Sequence, residues 1–332
     1  MPDTLVNAGT LKAAVQLACR APSLHNSQPW NWATDGAKLH LYLDRSRVLH
    51  STDTLGREAY ISCGAVLDHL KVAMAAAGWV SDINRFPTPS SVDHLASIDF
   101  RPIRDVTDRL RDRAEAIEHR RTNRLPFTPP KNWESLETAI RNTTDDMAVH
   151  LDVVATDLRP EFARVSELAE SLRLYDSTYH NELDWWTGHF ENYDGIPRSS
   201  LVSAAENDLV DIGRTFPVTA HNTCRTSSGE DRSTVLVLST DHNTRNDALR
   251  CGEALSAVLL ECTLARLATC TVTHLTELQS SRSVIGSLTG REAMPQLLIR
   301  VGETPDVGAA VPPMTPRRPL QDVLAVHTDT HG

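Results

Sequence analysis

Several features that define large protein classes are missing from this chain of 332 residues. No stretch approaches the roughly 18 consecutive apolar residues of a membrane-spanning helix, so we expect no membrane partner. The first 20 residues lack a basic segment followed by a long apolar stretch, so no signal peptide is predicted. The formal net charge is −10 at pH 7, which disfavours general nucleic-acid binding. These absences predict a cytoplasmic protein whose partners are small molecules.

The six cysteines form no CxxC pair and have no metal-type spacing with histidine, so no metal site is predicted. Most of them lie in apolar runs, where cysteine packs as a small hydrophobe, and a reducing compartment is the simplest interpretation. The chain also lacks a Walker A sequence, GxGxxG, HExxH and GxSxG. An NTPase, a Rossmann dinucleotide site, a zinc protease and an α/β-hydrolase are therefore unsupported.

What the chain does contain is enough apolar sequence for a sizeable core, with 40% hydrophobic and 23% charged residues. Its length corresponds to about two ordinary domains. Apolar periodicity predicts helices over 9–20, 57–78, 105–119, 134–141, 160–174, 178–190 and 247–268. Alternating or continuous apolar runs predict strands over 30–34, 38–44, 94–100, 148–156, 233–239 and 296–302.

A short internal repeat connects the two halves of the chain. The sequence Cys-Gly-x-x-Leu occurs at 63–67 and again at 251–255, each time at the entry to a long apolar helix. A strand-like run follows each helix. The matching order of elements suggests that the two halves are related units.

A long polar and irregular segment interrupts the second half between about 191 and 231. Segments of this kind inside a compact domain are usually functional lids or disordered. Trp185, Trp186 and the turn at Gly195 lie beside it, and we predict a lid over about 178–231. The alternative is that the two tryptophans simply pack in the core.

Four polar segments could carry chemistry, and each also has a purely structural interpretation. Residues 20–30 concentrate hydroxyl, amide and backbone donors that suit a heteroaromatic ring edge, or they form a helix-to-strand turn. Residues 118–124 hold three arginines and a threonine that could bind a phosphate, or they are a solvated helix end. Residues 316–319 could hold two arginines against an anion, or form a basic linker. Residues 269–277 could bring backbone N–H groups to a ring edge, or form an ordinary strand exit.

Together and in this order, these segments resemble the flavin-dependent nitroreductase family. APSLHNSQPW at 21–30 looks like the family's flavin loop, APSxxNxQPW. RRTNR at 120–124, followed by Phe127, looks like its phosphate-binding signature, RRSxRxF. PRRPL at 316–320 looks like its basic C-terminal segment. The wording of the first loop is most similar to the Acg-type proteins of mycobacteria. The resemblance implies an α+β, nitroreductase-like, FMN-dependent fold.

The order of the motifs departs from the family pattern, in which RRSxR comes first and the flavin loop follows. Family subunits dimerise, and each flavin is held by the phosphate signature of one subunit and the loop of the other. The resemblance therefore implies two fused half-units that form a single-chain pseudo-dimer. Residues 1–110 would be the half that carries the loop, and residues 111–332 the half that carries RRTNR and the tail. We expect a monomer with an internal pseudo-two-fold axis.

The resemblance also implies roles for individual residues. Neutralisation of the FMN phosphate would fall to Arg120, Arg121, Arg124, Arg317 and Arg318, with a hydroxyl contact from Thr122. The flavin ring or ribityl chain would be approached by Pro22, Ser23, Asn26 and Gln28. The N5 edge of the ring would be lined by the backbone of Thr271, Thr273 or His274. No catalytic acid, base or metal ligand is predicted, because the hydride chemistry belongs to the flavin.

Two functions are compatible with this resemblance. The first is an oxidoreductase that passes a hydride from NAD(P)H to FMN and on to a nitro- or quinone-like acceptor. The second is a catalytically silent flavin-binding or flavin-storage stress protein whose lid stays closed over the site. A flavin-fragmenting relative of the same fold is a weaker third possibility.

Overall fold

The computed structural model describes residues 5–188, 194–217, 229–304 and 314–326, and these fold into helices packed on two β-sheets. The helices are α1 (Ala8–Ala18), α2 (Arg57–Ala76), α3 (Asp108–His119), α4 (Trp133–Thr144), α5 (Arg159–Arg173), α6 (Ser177–Thr187), α7 (Ala204–Asn207), α8 (Arg245–Leu264), α9 (His274–Glu277), α10 (Gln279–Thr289) and α11 (Leu320–Val323). The strands are β1 (Trp30–Thr34), β2 (Leu39–Leu43), β3 (Trp79–Arg85), β4 (His94–Pro102), β5 (His150–Val153), β6 (Thr234–Thr240), β7 (Ala268–Val272), β8 (Met294–Gly302) and β9 (Leu324–Val326). The expected α+β class is confirmed.

The two sheets have the same topology. The first has the strand order β3-β4-β2-β1-β9, and the second, written from its β7 edge, has the order β7-β8-β6-β5. Within each set of four the neighbours are antiparallel, and a long helix connects the second and third strands of the chain. Even the register shift recurs, between β2 and β4 and again between β6 and β8. The chain therefore contains two units built on one plan.

Helices α2 and α8, which carry the repeated motif, cross at Gly64 and Gly252. A Cβ atom on Gly64 would lie 1.9 Å from the backbone oxygen of Leu249, and one on Gly252 would lie 1.9 Å from that of Ile61. Both helices are buried along most of their length, as their nearly all-apolar sequences predict. The two glycines let the backbones meet at the centre of the main core, in a reciprocal contact.

The end of the chain joins the first sheet rather than the second. Strand β9 pairs in parallel with β1, so the C-terminal segment crosses to the half that carries the 21–30 loop. The sequence predicts an extended tail here and does not identify the strand, because its pairing partner lies almost 300 residues away. Strand β3 and helix α10 were also missed, since neither has a strong apolar pattern of its own.

Five cysteines, at positions 19, 63, 251, 262 and 270, are buried free thiols. The sixth, Cys224, lies outside the described residues. Within the part of the chain that the structure describes, no helix has both the length and the apolar character needed to cross a bilayer.

Candidate functional site

A cavity of about 110 Å³ is enclosed by elements from both halves of the chain. The first half contributes residues 22–25 and the start of α2, and the second half contributes Thr122, Arg124, the end of β7 and part of the segment 202–216. Six residues predicted from the sequence meet in its wall: Pro22, Ser23, Thr122, Arg124, Thr271 and Thr273. The fold thus brings together the 21–30 loop, the RRTNR segment and the strand exit.

The loop before β1 has a strained backbone. Three of its non-glycine residues have left-handed φ angles, His25 at 48°, Asn26 at 59° and Gln28 at 51°. Such residues cost about 1–3 kcal/mol each and persist only where the surroundings hold them, most often at functional sites. A hydrogen bond within the loop also holds it together, since the backbone N–H of Gln28 donates to Ser23 Oγ at 3.0 Å.

The side chains of Asn26 and Gln28 hold this loop against other segments. Asn26 Nδ2 donates to the carbonyl of Gly195 at 3.0 Å and to that of Pro316 at 3.2 Å. Gln28 Oε1 accepts from the backbone N–H of Arg318 at 2.8 Å. Neither residue belongs to the cavity wall, so the structure gives them positioning contacts where the sequence predicts contacts to the ring or ribityl chain.

His25 lines the cavity, although it falls on an unspecified position of the loop motif and no sequence pattern pointed to it. It is 6% exposed, and its ring meets that of Phe216 edge-on with centroids 5.9 Å apart. Burial lowers the pKa of His25 well below its usual value, and Arg214 and Arg124 lower it further, so the imidazole is neutral at pH 7. Neither ring nitrogen has a hydrogen-bond partner among the described residues.

Four guanidinium groups gather at the end of α1, where the 21–30 loop begins. They belong to Arg20, Arg120, Arg121 and Arg317, and we call them the arginine cluster. Arg317 Nη2 donates to the carbonyls of Arg20 and Ala21 at 3.1 and 3.3 Å, and Arg120 Nη2 reaches the first of these at 3.5 Å. Arg20 was missed by the sequence analysis, although it adjoins the loop motif.

Within the described part of the chain, the arginine cluster meets counter-charge at Arg20, on which the Glu118 carboxylate acts electrostatically. None of its members forms an ion pair there, and the Nε atom of each is buried without a hydrogen-bond partner. Burial, and then the neighbouring Arg121 and Arg20, lower the pKa of Arg120 to about 10. Burial, and then Arg120, Arg20 and Arg121, lower the pKa of Arg317 well below its usual value. Like charges held this close need an anion, and a forked phosphate contact fits the donors that remain.

Arg124 and Arg318, which the sequence places in the same phosphate site, lie elsewhere. Arg124 is in the cavity wall, where its guanidinium stands over the Phe216 ring at 5.0 Å. Arg318 lies 3.6 Å from Asp44 and donates to the carbonyl of Trp30 at 3.1 Å. The phosphate expectation is therefore kept for Arg120, Arg121 and Arg317. For Arg318 the contacts indicate positioning of the loop and the first strand.

The remaining predicted residues lie at the C-terminal end of β7, and their side chains point to different places. Thr271 and Thr273 face the cavity, and Thr273 Oγ1 donates to Glu277 Oε1 at 2.9 Å. His274, by contrast, is buried outside the wall, with Nε2 2.8 Å from Ser166 Oγ on α5. The expected contact of the His274 backbone with the ring edge stays a prediction, while its side chain points to α5.

A group of charged residues in and beside the cavity wall was not predicted. Glu58, at the start of α2, is 2% exposed and accepts a hydrogen bond from Arg57 Nη2. Arg214 is paired with Glu277 and donates to the Tyr179 hydroxyl at 2.6 Å. An acidic residue at the head of an otherwise apolar helix was the available signal for Glu58.

Part of the segment predicted as a lid lines the cavity, but the residues that do so are not the two tryptophans named from the sequence. Trp185 is 52% exposed and Trp186 is buried, and neither lines the cavity. The wall is formed instead by residues of the 202–216 segment, including Val210 and Phe216. Residues 189–193 and 218–228 of the predicted lid lie outside the described residues.

Comparison with known proteins agrees with this geometry. The chain is 56% identical over 331 residues to "Putative NAD(P)H nitroreductase acg" of Mycobacterium tuberculosis H37Rv, with 100% of each protein covered. It is 33% identical to "Putative NAD(P)H nitroreductase Rv3131" of the same organism, covering 96% of this chain and 92% of that protein.

A solved structure described as a putative nitroreductase from Anabaena variabilis superposes with a TM-score of 0.54 at 8% identity. The superposition covers 90% of this chain and 88% of that one. No protein-family model matches the chain. The similarity over the full length nevertheless shows that the chain belongs to the nitroreductase family and is of the Acg type.

Proposed function

We propose that this protein is an FMN-binding oxidoreductase that passes a hydride from NAD(P)H to FMN and on to a nitro- or quinone-like acceptor. The arginine cluster carries the proposal, because four guanidiniums, Arg120 buried and the other three half-buried, lie together without an ion-pair partner in the described residues and need an anion. Arg20 lies two residues before Pro22, and Arg121 adjoins Thr122, so the anion site and the cavity wall are continuous. The names of the mycobacterial relatives support the same reductase chemistry.

The residues of the site divide the work of holding such a cofactor. Bound FMN would supply the hydride-accepting and hydride-donating ring. The arginine cluster would hold the phosphate, and Ser23, Thr271 and Thr273 would contact the ring from opposite halves. Arg124 places a positive charge in the cavity wall, which favours negative charge on a reduced ring. Apolar wall residues such as Phe216 and Val210 keep water from the reacting atoms.

The test is anaerobic mixing of the FMN-loaded protein with NADH or NADPH while the flavin absorbance is followed. We expect rapid bleaching with at least one nicotinamide and recovery of the colour when a quinone or nitroaromatic compound is added. The Arg111→Ala variant, which changes an exposed residue on α3, serves as the control and should behave like the wild type. Bound flavin that neither nicotinamide bleaches would contradict an oxidoreductase.

That last result would favour the second candidate, a catalytically silent flavin-binding or flavin-storage stress protein. Phe216 supports this candidate, because it packs on both His25 and Arg124 across the wall. A closed site would exclude the nicotinamide while still retaining FMN. Slow release of intact flavin, without turnover, would distinguish storage from catalysis.

A further inference from the structure

Glu58 holds a distinctive position in the cavity. Among the described residues that line the wall, it is the one carboxylic acid. It lies in the first turn of α2, and its backbone oxygen accepts from Ser62 Oγ at 2.8 Å, which fixes this turn against the cavity. A buried carboxyl group in a cleft is a candidate for proton transfer when its surroundings favour the neutral form.

The surroundings of Glu58 come from several elements. Arg57 of the same turn and Arg214 of the 202–216 segment favour its charged form, while Asp53 and Glu277 oppose it. Arg282 of α10 also lies within electrostatic reach. Burial is the largest effect, and it raises the pKa of Glu58 to about 8. The carboxyl group is therefore largely protonated at neutral pH.

The histidine and arginine side chains in the described wall are less suited to giving up a proton. His25 is neutral, and neither of its ring nitrogens has a described partner from which a lost proton could be replaced. The arginines keep their protons at neutral pH even where burial lowers their pKa values.

A route that returns a proton to the Glu58 carboxyl group begins at Asp53. Its Oδ2 accepts the backbone N–H of Ala59 at 2.8 Å, which places the carboxyl group beside the turn that holds Glu58. Asp53 is buried, but Leu55 in the same loop is 82% exposed, so the loop reaches solvent. Burial raises the pKa of Asp53 to about 6, which suits a group that passes protons inward.

We propose that the Glu58 carboxyl group delivers the proton that completes reduction of the acceptor, and that Asp53 returns a proton to it from solvent. For a quinone acceptor, the reduced flavin supplies a hydride, Glu58 supplies one proton, and the product is the hydroquinone. Glu58 is left as a carboxylate beside Arg57 until water, through Asp53, restores its proton. This inference rests on the proposed function, because it assumes a reduced flavin in the cavity.

The experiment compares two oxidants of the light-reduced flavoprotein. Benzoquinone needs a proton for each hydride that it takes, whereas ferricyanide takes electrons alone. In the Glu58→Gln variant we expect reoxidation by benzoquinone to slow about a hundredfold, the usual size of a general-acid effect, while reoxidation by ferricyanide keeps its rate. The wild-type rate with benzoquinone should fall as pH rises through about 8, and the variant should show no such fall.

Glu253→Gln is the matched control, since Glu253 is equally buried but pairs with Arg85 at the end of β3 and does not line the cavity. It should leave both reoxidation rates unchanged. A Glu58→Gln variant that keeps the wild-type rate and pH profile with benzoquinone would overturn the inference, and so would an equal loss with both oxidants.

A second readout needs no flavin. Infrared spectra of the flavin-free protein labelled with ¹³C-glutamate should contain a carboxylic-acid band at pH 7 that fades as pH rises through about 8. Glu58→Gln should remove that band, and Glu253→Gln should not. If the wild-type protein lacks the band, the inference is also overturned. In this experiment light, and not NAD(P)H, reduces the flavin. If nicotinamide cannot reduce the protein, the proposed function is wrong, but the role of Glu58 can still be tested.

Discussion

At the scale of single residues, charge without a partner is the feature that distinguishes this site. Arginine in a fold is usually paired, as Arg300 is with Asp231 at 2.8 Å in the buried interior. Arg120 is also buried, yet its neighbours of like charge lower its pKa, and it forms no ion pair with a described carboxylate. Such a residue destabilises the empty protein and stabilises a complex with an anion.

This difference leads to a prediction for Arg120→Ala. The affinity for FMN should fall about 10- to 100-fold, because a hydrogen bond to a charged group contributes about 1.5–3 kcal/mol. The affinity for riboflavin, which lacks the phosphate, should stay unchanged. Fluorescence quenching titrations of both flavins measure the two constants, with the exposed Arg111→Ala variant as the control. An equal loss of affinity for both flavins would show that Arg120 acts on the fold and not on the phosphate.

At the scale of elements, the contact between α2 and α8 sets the geometry of the cavity. Glu58 and Ile61 on α2 and Leu255 on α8 all reach the cavity wall from these two helices. Their separation is fixed by Gly64 and Gly252, where no side chain intervenes. The repeated sequence motif therefore has a packing reason, because each glycine is the point at which the partner helix passes.

Replacement of either glycine by alanine should be strongly destabilising. The new methyl group would meet a backbone oxygen at 1.9 Å, so the helices would have to separate, at a cost of about 3 kcal/mol or more. Gly286→Ala in α10 is the matched control, because its nearest neighbours would lie 3.7 Å away and alanine favours the helix by up to about 1 kcal/mol. Urea unfolding of the three variants measures the difference. Near-wild-type stability of Gly64→Ala would contradict this account of the contact.

At the scale of the whole molecule, the two units have the same order of strands and helices but carry different sequence motifs. The first carries the strained 21–30 loop and the second carries RRTNR. The C-terminal segment then crosses to the first sheet and brings Arg317 to the carbonyls of Arg20 and Ala21. One arginine cluster results, assembled from three distant parts of one chain. The domain boundary near residue 110 remains a prediction.

We therefore predict one FMN per chain and a monomer in solution. A second, equivalent site would need a second loop and a second phosphate signature, which the sequence does not contain. Flavin released by denaturation, divided by protein concentration, gives the stoichiometry, and light scattering should give a mass near 36.7 kDa. Two flavins per chain would exclude the fused half-site, and a stable dimer would exclude the expectation of a monomer.

The sequence by itself determined the fold class, the long core helices and most of the segments that meet at the cavity. It could do so because apolar periodicity and the 21–30 and 120–124 motifs are local in the chain. Tertiary structure alone decided which arginines share one cluster. Arg124 and Arg318 are the same residue type as Arg120 and Arg317, but the folded backbone carries their side chains to other parts of the molecule. It likewise decided that His25 and Glu58 face the cavity while His274 does not, since burial and orientation depend on contacts between distant segments.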